Sequence, residues 1–293
     1  MTPTINIALR KGAEALRNAS IENPPHEARL LLSLVLKKDK GFVFANPERP
    51  INQDEWQSYQ QMINRRSHHE PISRIRGERE FWSLPFYLSQ ETLDPRPDTE
   101  VLVEGVLNDL KENNQTVSEP FRILDLGTGT GCLLLSLLSE LPNSWGLGVD
   151  LSSGAIQTAK RNATQLRLSG RASFAMSDWA TSIDGQFDII VSNPPYICAQ
   201  GMEKLEKSVR SFDPPLALDG GADGLEAYRT LMPQIPDILT ENGTFCIEMG
   251  ALQAKSLLPI VEKSNLRVAK QLFDLKGIER GFCLKKQKKL RYA

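Results

Sequence analysis

Asn193-Pro194-Pro195-Tyr196 brings together groups suited to holding a planar nitrogen. An amide or aromatic amino nitrogen is a poor nucleophile, because its lone pair is delocalised into a carbonyl or a ring. Two acceptors on its N–H groups would orient it and stabilise the positive charge that grows there as a new bond forms. The Asn193 side-chain oxygen and the Pro194 backbone carbonyl are such acceptors, since proline keeps its C=O and offers no competing N–H. Tyr196 can stack on the planar group or fix its edge. Runs of proline are also ordinary turn punctuation. That reading accounts for Pro194 and Pro195 but not for the Asn and Tyr that bracket them. No strong general base accompanies the four residues, so the chemistry they suit is orientation and preorganised electrostatics for an in-line displacement.

A second cluster could hold the other reactant. Asp125-Leu126-Gly127-Thr128-Gly129-Thr130-Gly131 sits where an apolar strand turns into a helix. Its glycines allow a tight turn and let a ligand approach the backbone. Asp150 ends the next strand about twenty residues on, placed to accept from both hydroxyls of a ribose. A dinucleotide and S-adenosylmethionine both fit these features, and a helix cap is the plainer use of Asp150. Asp178 and Trp179 follow the third strand, where the acid can accept from an adenine amino group and the indole can cover the purine face. Packing under a loop is the plainer use of Trp179. The tetrapeptide separates the two cofactors: a planar nitrogen acceptor calls for the methyl donor, S-adenosylmethionine, and not for a hydride carrier.

The elements that must position these groups can be read from periodicity. Ile123–Leu126, Gly146–Asp150, Ala172–Met176 and Phe187–Val191 are short apolar runs suited to buried parallel strands. Helical segments near 131–140 and 153–168 separate the first three. Thr244–Met249, Leu266–Leu272 and Phe282–Leu284 can supply three more strands. Such alternation predicts a doubly wound α/β sheet, with ligands beyond the carboxyl ends of its strands. Residues 4–75 read as a small helical bundle, with Asn52 and Glu55 as a capping box. Phe81-Trp82-Ser83-Leu84 and Phe86-Tyr87-Leu88 flank Pro85 and predict a short hairpin or extended linker. In Arg96-Pro97-Asp98-Thr99-Glu100, Pro97 stiffens the entry to a helix near Val101 that Asp98 or Thr99 would cap. The competing use of this stretch is a place on the rim of the site.

The chain resembles the release-factor glutamine methyltransferases, the HemK/PrmC family. The resemblance rests on Glu70–Gly77, Glu80-Phe81-Trp82, Asp94–Glu100, Asp125–Gly131, Ser192–Tyr196, Leu216–Leu225 and Ile247–Gly250. It implies a seven-stranded class I S-adenosylmethionine-dependent methyltransferase domain (98–293), preceded by an all-α bundle (1–78) that docks the release factor and a β-hairpin linker (79–97). It implies N5-methylation of the glutamine in the Gly-Gly-Gln motif of class 1 peptide chain release factors. Asn193, Pro194, Pro195 and Tyr196 would grip the amide. Gly127, Thr128, Gly129, Thr130, Gly131, Asp150, Asp178, Trp179 and Asn193 would contact the cofactor. The chain departs from the family's usual pattern at Asp94, Asp213 and Met249, none of them in the tetrapeptide.

Composition sets limits on other readings. The 293 residues carry 35 Lys plus Arg against 36 Asp plus Glu, a net charge of −1, which gives no general pull toward nucleic acid. An adenine-N6, cytosine-N4 or guanine-N2 nucleic-acid methyltransferase is the main alternative, since the tetrapeptide suits those amino groups equally well; a flipped base would be required on duplex DNA. A silent cofactor-binding scaffold has no need of amide acceptors. His68-His69 point to different helix faces and find no third metal ligand. Lys285–Arg291 is a basic tail, read as solvated. The start of the chain lacks the pattern of a signal peptide and no apolar run spans a membrane, so a cytoplasmic protein is expected; a monomer is the expected state. Cys132, Cys198, Cys246 and Cys283 are scattered and are expected as reduced, buried thiols.

Overall fold

Apolar residues spaced three and four apart build the first helices, and each leaves one stripe that must find a partner. A computed structural model describes residues 3–287. The chain divides into two units: one runs to Gly77 and includes Glu206–Phe212, and the other holds Glu78–Leu205 and the chain from Asp213 onward.

The first unit contains α1 (Ile5–Asn18), α2 (Pro24–Leu36), α3 (Lys40–Ala45), α4 (Gln53–Ser67) and α5 (Ile72–Arg76). Ile5, Ala8 and Leu16 of α1 meet Leu31 and Leu32 of α2 and Tyr59 and Ile63 of α4 in one core. The capping box on α4 is formed. Asn52 Oδ1 accepts from the Glu55 amide at 2.9 Å, and Glu55 Oε2 accepts from the Asn52 amide at 2.8 Å.

The second unit opens with a hairpin, β1 (Glu78–Phe81) and β2 (Leu84–Tyr87). Its turn lies at Trp82 and Ser83, whose φ angles of 51° and 57° are both left-handed, as a two-residue turn that matches strand twist requires. Pro85 pairs with Glu80 inside β2; an edge strand tolerates its missing N–H. Phe81 and Phe86 are buried in the core of this unit. Asn162 ties the hairpin down by accepting from the Tyr87 amide at 2.8 Å and donating to the Thr130 carbonyl at 2.9 Å.

Among the described residues the unit holds a seven-stranded sheet of β3 (Arg122–Leu126), β4 (Trp145–Asp150), β5 (Ala172–Met176), β6 (Phe187–Ser192), β7 (Leu239–Glu248), β8 (Leu266–Phe273) and β9 (Glu279–Lys286), in the order β5-β4-β3-β6-β7-β9-β8. Strands β3 to β7 are parallel, and β9 runs antiparallel to both β7 and β8. Alternate residues serve opposite faces. Ile123, Ile189 and Val191 pack against α6 (Glu100–Glu112), α7 (Cys132–Glu140) and α8 (Ser153–Gln165), while Leu124, Ile190 and Phe245 meet Leu231, Ile235 and Leu257 on the other side. The chain leaves β3 for β4 and β5, then returns to the opposite side as β6. The carboxyl ends of β3 and β6 thus border the switch point where such sheets bind ligands.

One expectation is overturned here. Cys246 and Cys283 face each other across β7 and β9, with Cα atoms 4.2 Å apart, and form a disulfide. Scattered sequence positions concealed a cross-strand pair, because antiparallel register brings residues together whatever their separation in the chain. Cys132 and Cys198 are free. Among the described residues no helix is long and apolar enough to cross a membrane, and no group of acidic, His and Cys residues could hold a metal. The basic stretch that begins at Lys285 continues beyond the described residues; Lys285 itself pairs with Asp109 at 3.1 Å.

Candidate active site

Each chemical group identified in the sequence sits where a strand ends. After β3, Gly127, Gly129 and Gly131 take φ angles of 74°, 54° and 81°, a region that an L side chain enters only with strain. At Gly131 the packing is close as well: an added Cβ would lie 3.2 Å from Leu135 and 3.3 Å from Ala159. Asp150, ending β4, organises the loop. Its carboxylate accepts from the Gly129 amide at 2.9 Å and from the Ser152 amide at 2.9 Å. Asp150 does not cap α8 through its side chain; Ser152 does, accepting from the Ala155 amide at 3.2 Å.

A cavity of about 400 Å³ opens against this loop, within the ~300–1,000 Å³ usual for small-molecule sites. Gly127, Thr128, Gly129, Thr130 and Asp150 line one part of it, Asp178 and Trp179 another, and Asn193 and Pro195 a third. Gly131, Pro194 and Tyr196 are not among its lining residues. The Tyr196 ring instead turns toward β7, where its hydroxyl donates to Glu248 Oε1 at 3.2 Å. Burial and the Glu248 charge push its phenol well above the ordinary tyrosine value.

The Arg96–Glu100 stretch belongs to the rim. Pro97–Thr99 form a single 3₁₀ turn before α6, and neither Asp98 nor Thr99 caps that helix with its side chain. Thr99 Oγ1 accepts from Asn193 Nδ2 at 3.1 Å, and Asp98 pairs with Arg280 of β9 at 2.7 Å. Two of the departures from the family pattern also meet here: the Asp94 amide donates to Asp213 Oδ1 at 3.2 Å. Arg96, which lines the cavity, holds the other Asp213 oxygen at 2.6 Å.

Sequence reasoning assigned no role to two buried acids. Asp125 is 1% exposed; Thr128 Oγ1 donates to its Oδ2 at 2.6 Å, while Oδ1 has no partner among the described residues. Burial pushes its carboxyl up to about 7, against the hydrogen bond from Thr128. Glu248 is 2% exposed, its Oε2 has no partner among the described residues, and it is likewise pushed up to about 7 by burial, against the hydrogen bond from Tyr196 and the charge of Arg280. The available signal was an acid inside an otherwise apolar strand run, a position that costs stability unless it is used. Asp150 is raised by burial too, opposed by the amides of Ser152 and Gly129. Cys132, at the cavity wall, is pushed up to about 12 by burial and is therefore an inert thiol at neutral pH.

The residues present suit a nucleoside-bearing cation. Asp150 keeps lone pairs beyond its two amide bonds, Trp179 offers an aromatic face, and the buried Ser177 Oγ on the cavity wall has no partner among the described residues.

Comparison with known proteins identifies the family. Residues 8–77 match the family model of the PrmC N-terminal domain, and residues 118–292 match that of a methyltransferase domain. A release factor glutamine methyltransferase of Rhodospirillum rubrum is 45% identical over 94% of this chain and 82% of its own. One of Bradyrhizobium diazoefficiens is 42% identical over 97% of this chain and 95% of its own. Among solved structures, a methyltransferase from Pyrococcus furiosus covers 76% of this chain and 98% of its own with a TM-score of 0.51 at 16% identity, a likeness of fold. With relatives this similar along nearly its whole length, the chain belongs to the release factor glutamine methyltransferases.

Proposed function

We propose that this chain transfers the methyl group of S-adenosylmethionine to the side-chain amide nitrogen (N5) of the glutamine in the Gly-Gly-Gln motif of a class 1 peptide chain release factor. It would act in the cytoplasm as a monomer, with no nucleic acid in the reaction. The observation that carries the reading is the orientation of Asn193: its Nδ2 is engaged by Thr99 at 3.1 Å, so its Oδ1 is the end left to accept from an incoming N–H.

When bound, S-adenosylmethionine supplies an electrophilic methyl on a sulfonium. Gly127 to Gly131 offer backbone to its polar tail, Asp150 accepts from the ribose hydroxyls, and Trp179 covers the adenine with Asp178 beside it. Asn193 Oδ1 and the Pro194 carbonyl accept from the two N–H groups of the glutamine amide. They would hold its nitrogen in line with the methyl and stabilise the positive charge that develops there as the S–CH₃ bond breaks and S-adenosylhomocysteine leaves; the surplus proton on the methylated nitrogen then passes to water. Pro195, on the cavity wall, limits the acceptor from one side. The near-neutral net charge of −1 favours a protein acceptor over a phosphate backbone.

Labelled S-adenosylmethionine offered with either release factor or nucleic acid tests the substrate. Label is expected on the release factor and lost when its Gly-Gly-Gln glutamine becomes alanine; label on DNA or RNA instead overturns the substrate assignment. Asn193→Ala is expected to lower transfer on the order of 10²-fold while leaving cofactor affinity within a few-fold. Undiminished turnover would remove Asn193 from the amide site.

A further inference from the structure

Thr99 holds one end of the Asn193 amide: its Oγ1 accepts from Asn193 Nδ2 at 3.1 Å. A retreat of about 0.5 Å would end that bond and leave the amide free to turn over. The local sequence does little to prevent it. Thr99 closes a single 3₁₀ turn, Pro97–Thr99, in which its own amide donates to the Arg96 carbonyl at 3.0 Å, and α6 begins beyond it without a side-chain cap. The hydrogen bonds of such a turn are poorer in geometry than those of an α-helix. The place of Thr99 therefore depends on what holds the turn from outside.

Two ion pairs do so. Arg96 Nη2 meets Asp213 Oδ2 at 2.6 Å, but Arg96 is itself part of the cavity wall. The other pair stands apart from that wall. Asp98 Oδ2 meets Arg280 Nη2 at 2.7 Å, and Nε of the same guanidinium donates to Asp274 Oδ2 at 2.8 Å. None of these three residues lines the cavity. The inner end of the tie is well fixed. The Asp274 side chain is 5% exposed, and its Oδ1 accepts from the amides of Lys276 and Ile278 at 2.9 Å each. The Arg280 carbonyl accepts from the Met249 amide at 2.8 Å, just beyond β7. A planar guanidinium can hold both carboxylates at once in a set geometry.

Stability does not account for the Asp98 half of this arrangement. The side chains of Asp98 and Arg280 are 47% and 19% exposed, and ion pairs so placed add little to folding. We propose that Arg280 is a positioning residue for the methyl-acceptor site: it braces the 3₁₀ turn through Asp98, so that Thr99 keeps Asn193 Oδ1 turned toward the acceptor nitrogen. The inference rests on the planar-nitrogen reading of Asn193, and it holds for any acceptor of that class.

The test uses the full chain with its release-factor substrate and measures kcat, KM, cofactor affinity and urea unfolding. The variants are Asp98→Ala, Arg280→Met, Thr99→Val and their pairs. Arg280→Met also strips Asp274 of its ion pair and removes a charge that lies near Glu248. Asp98→Ala leaves both in place, so it decides the matter. It should lower kcat on the order of tenfold while leaving KM and cofactor affinity within a few-fold. Its unfolding midpoint should stay close to that of wild type. Thr99→Val should lose at least as much kcat, and adding Asp98→Ala to it should cost little more, because the brace acts through Thr99. Asp98→Ala added to Arg280→Met should likewise cost little more than Arg280→Met alone. Wild-type kcat in Asp98→Ala overturns the proposal. So do losses that multiply in the Asp98→Ala/Thr99→Val pair. Undiminished turnover in Asn193→Ala would remove the reading beneath it, whereas a fully active Asp98→Ala beside an inactive Asn193→Ala removes the brace alone.

Discussion

Replacing Asp125 with asparagine should make this protein progressively more stable relative to wild type as the pH rises. Asp125 is 1% exposed, with one oxygen held by Thr128 at 2.6 Å and the other without a partner among the described residues. Burial raises its pKa from the ordinary 3.8 to about 7. A folded-state value above the unfolded one means that the native chain holds the proton more tightly. The stability contributed by this group is therefore complete below pH 3.8 and is lost as the pH rises through 7. At about 1.36 kcal/mol for each tenfold change in an ionisation constant, the whole loss is about 4 kcal/mol, of which about 2.5 kcal/mol falls between pH 5 and pH 8. An asparagine side chain at this position does not titrate. The fixed cost of turning an acceptor into an NH₂ is the same at both pH values and cancels. Urea unfolding of Asp125→Asn and wild type at pH 5 and pH 8 should show the variant gaining about 2.5 kcal/mol relative to wild type across that interval. An equal difference at both pH values would refute the argument and mean that Asp125 ionises at its ordinary value in the folded chain.

Two further outcomes follow from the cofactor side of the cavity. Trp179→Ala should weaken S-adenosylmethionine binding by about 1–3 kcal/mol, the range for stacking a base on an aromatic ring, as read by calorimetric titration; an unchanged dissociation constant would reduce Trp179 to a packing residue. Gly148→Ala should cost about 1–3 kcal/mol of stability and weaken cofactor binding, because its Cβ would lie 2.7 Å from Thr128 Oγ1 and 2.8 Å from the Phe174 ring, and Thr128 fastens the loop to Asp125. A Gly148→Ala protein with wild-type unfolding and wild-type binding would show that the loop moves aside freely.

What could be read from the sequence was what is local in it. Buried parallel strands are short apolar runs, so β3 to β6 are legible nearly to the residue, and the tetrapeptide and the glycine loop carry their chemistry within a few neighbouring positions. What escaped depends on register and distance. The runs that flank Pro85 read as a hairpin or a linker, and which of the two is decided by the left-handed angles of Trp82 and Ser83. Cys246 and Cys283 meet only because β9 folds back beside β7. Thr99 reads as a helix cap, and its actual partner Asn193 lies 94 residues away.

The two overlooked acids matter together. β6, which delivers Asn193, is flanked by β3 and β7. Each of these neighbours carries one fully enclosed carboxyl, Asp125 and Glu248, near its carboxyl end. An apolar residue at either place would avoid burying a charge, and each acid as it stands weakens the fold at neutral pH. A sheet that tolerates this on both sides of one strand is arranged around something other than stability. The proposed donor arrives as a cation, and the acceptor nitrogen gains positive charge as the methyl moves. Carboxylates buried on the two strands that flank β6 favour both. Neutralising either acid should therefore slow transfer even where it strengthens the fold, and that opposition of effects separates a functional charge from a structural one.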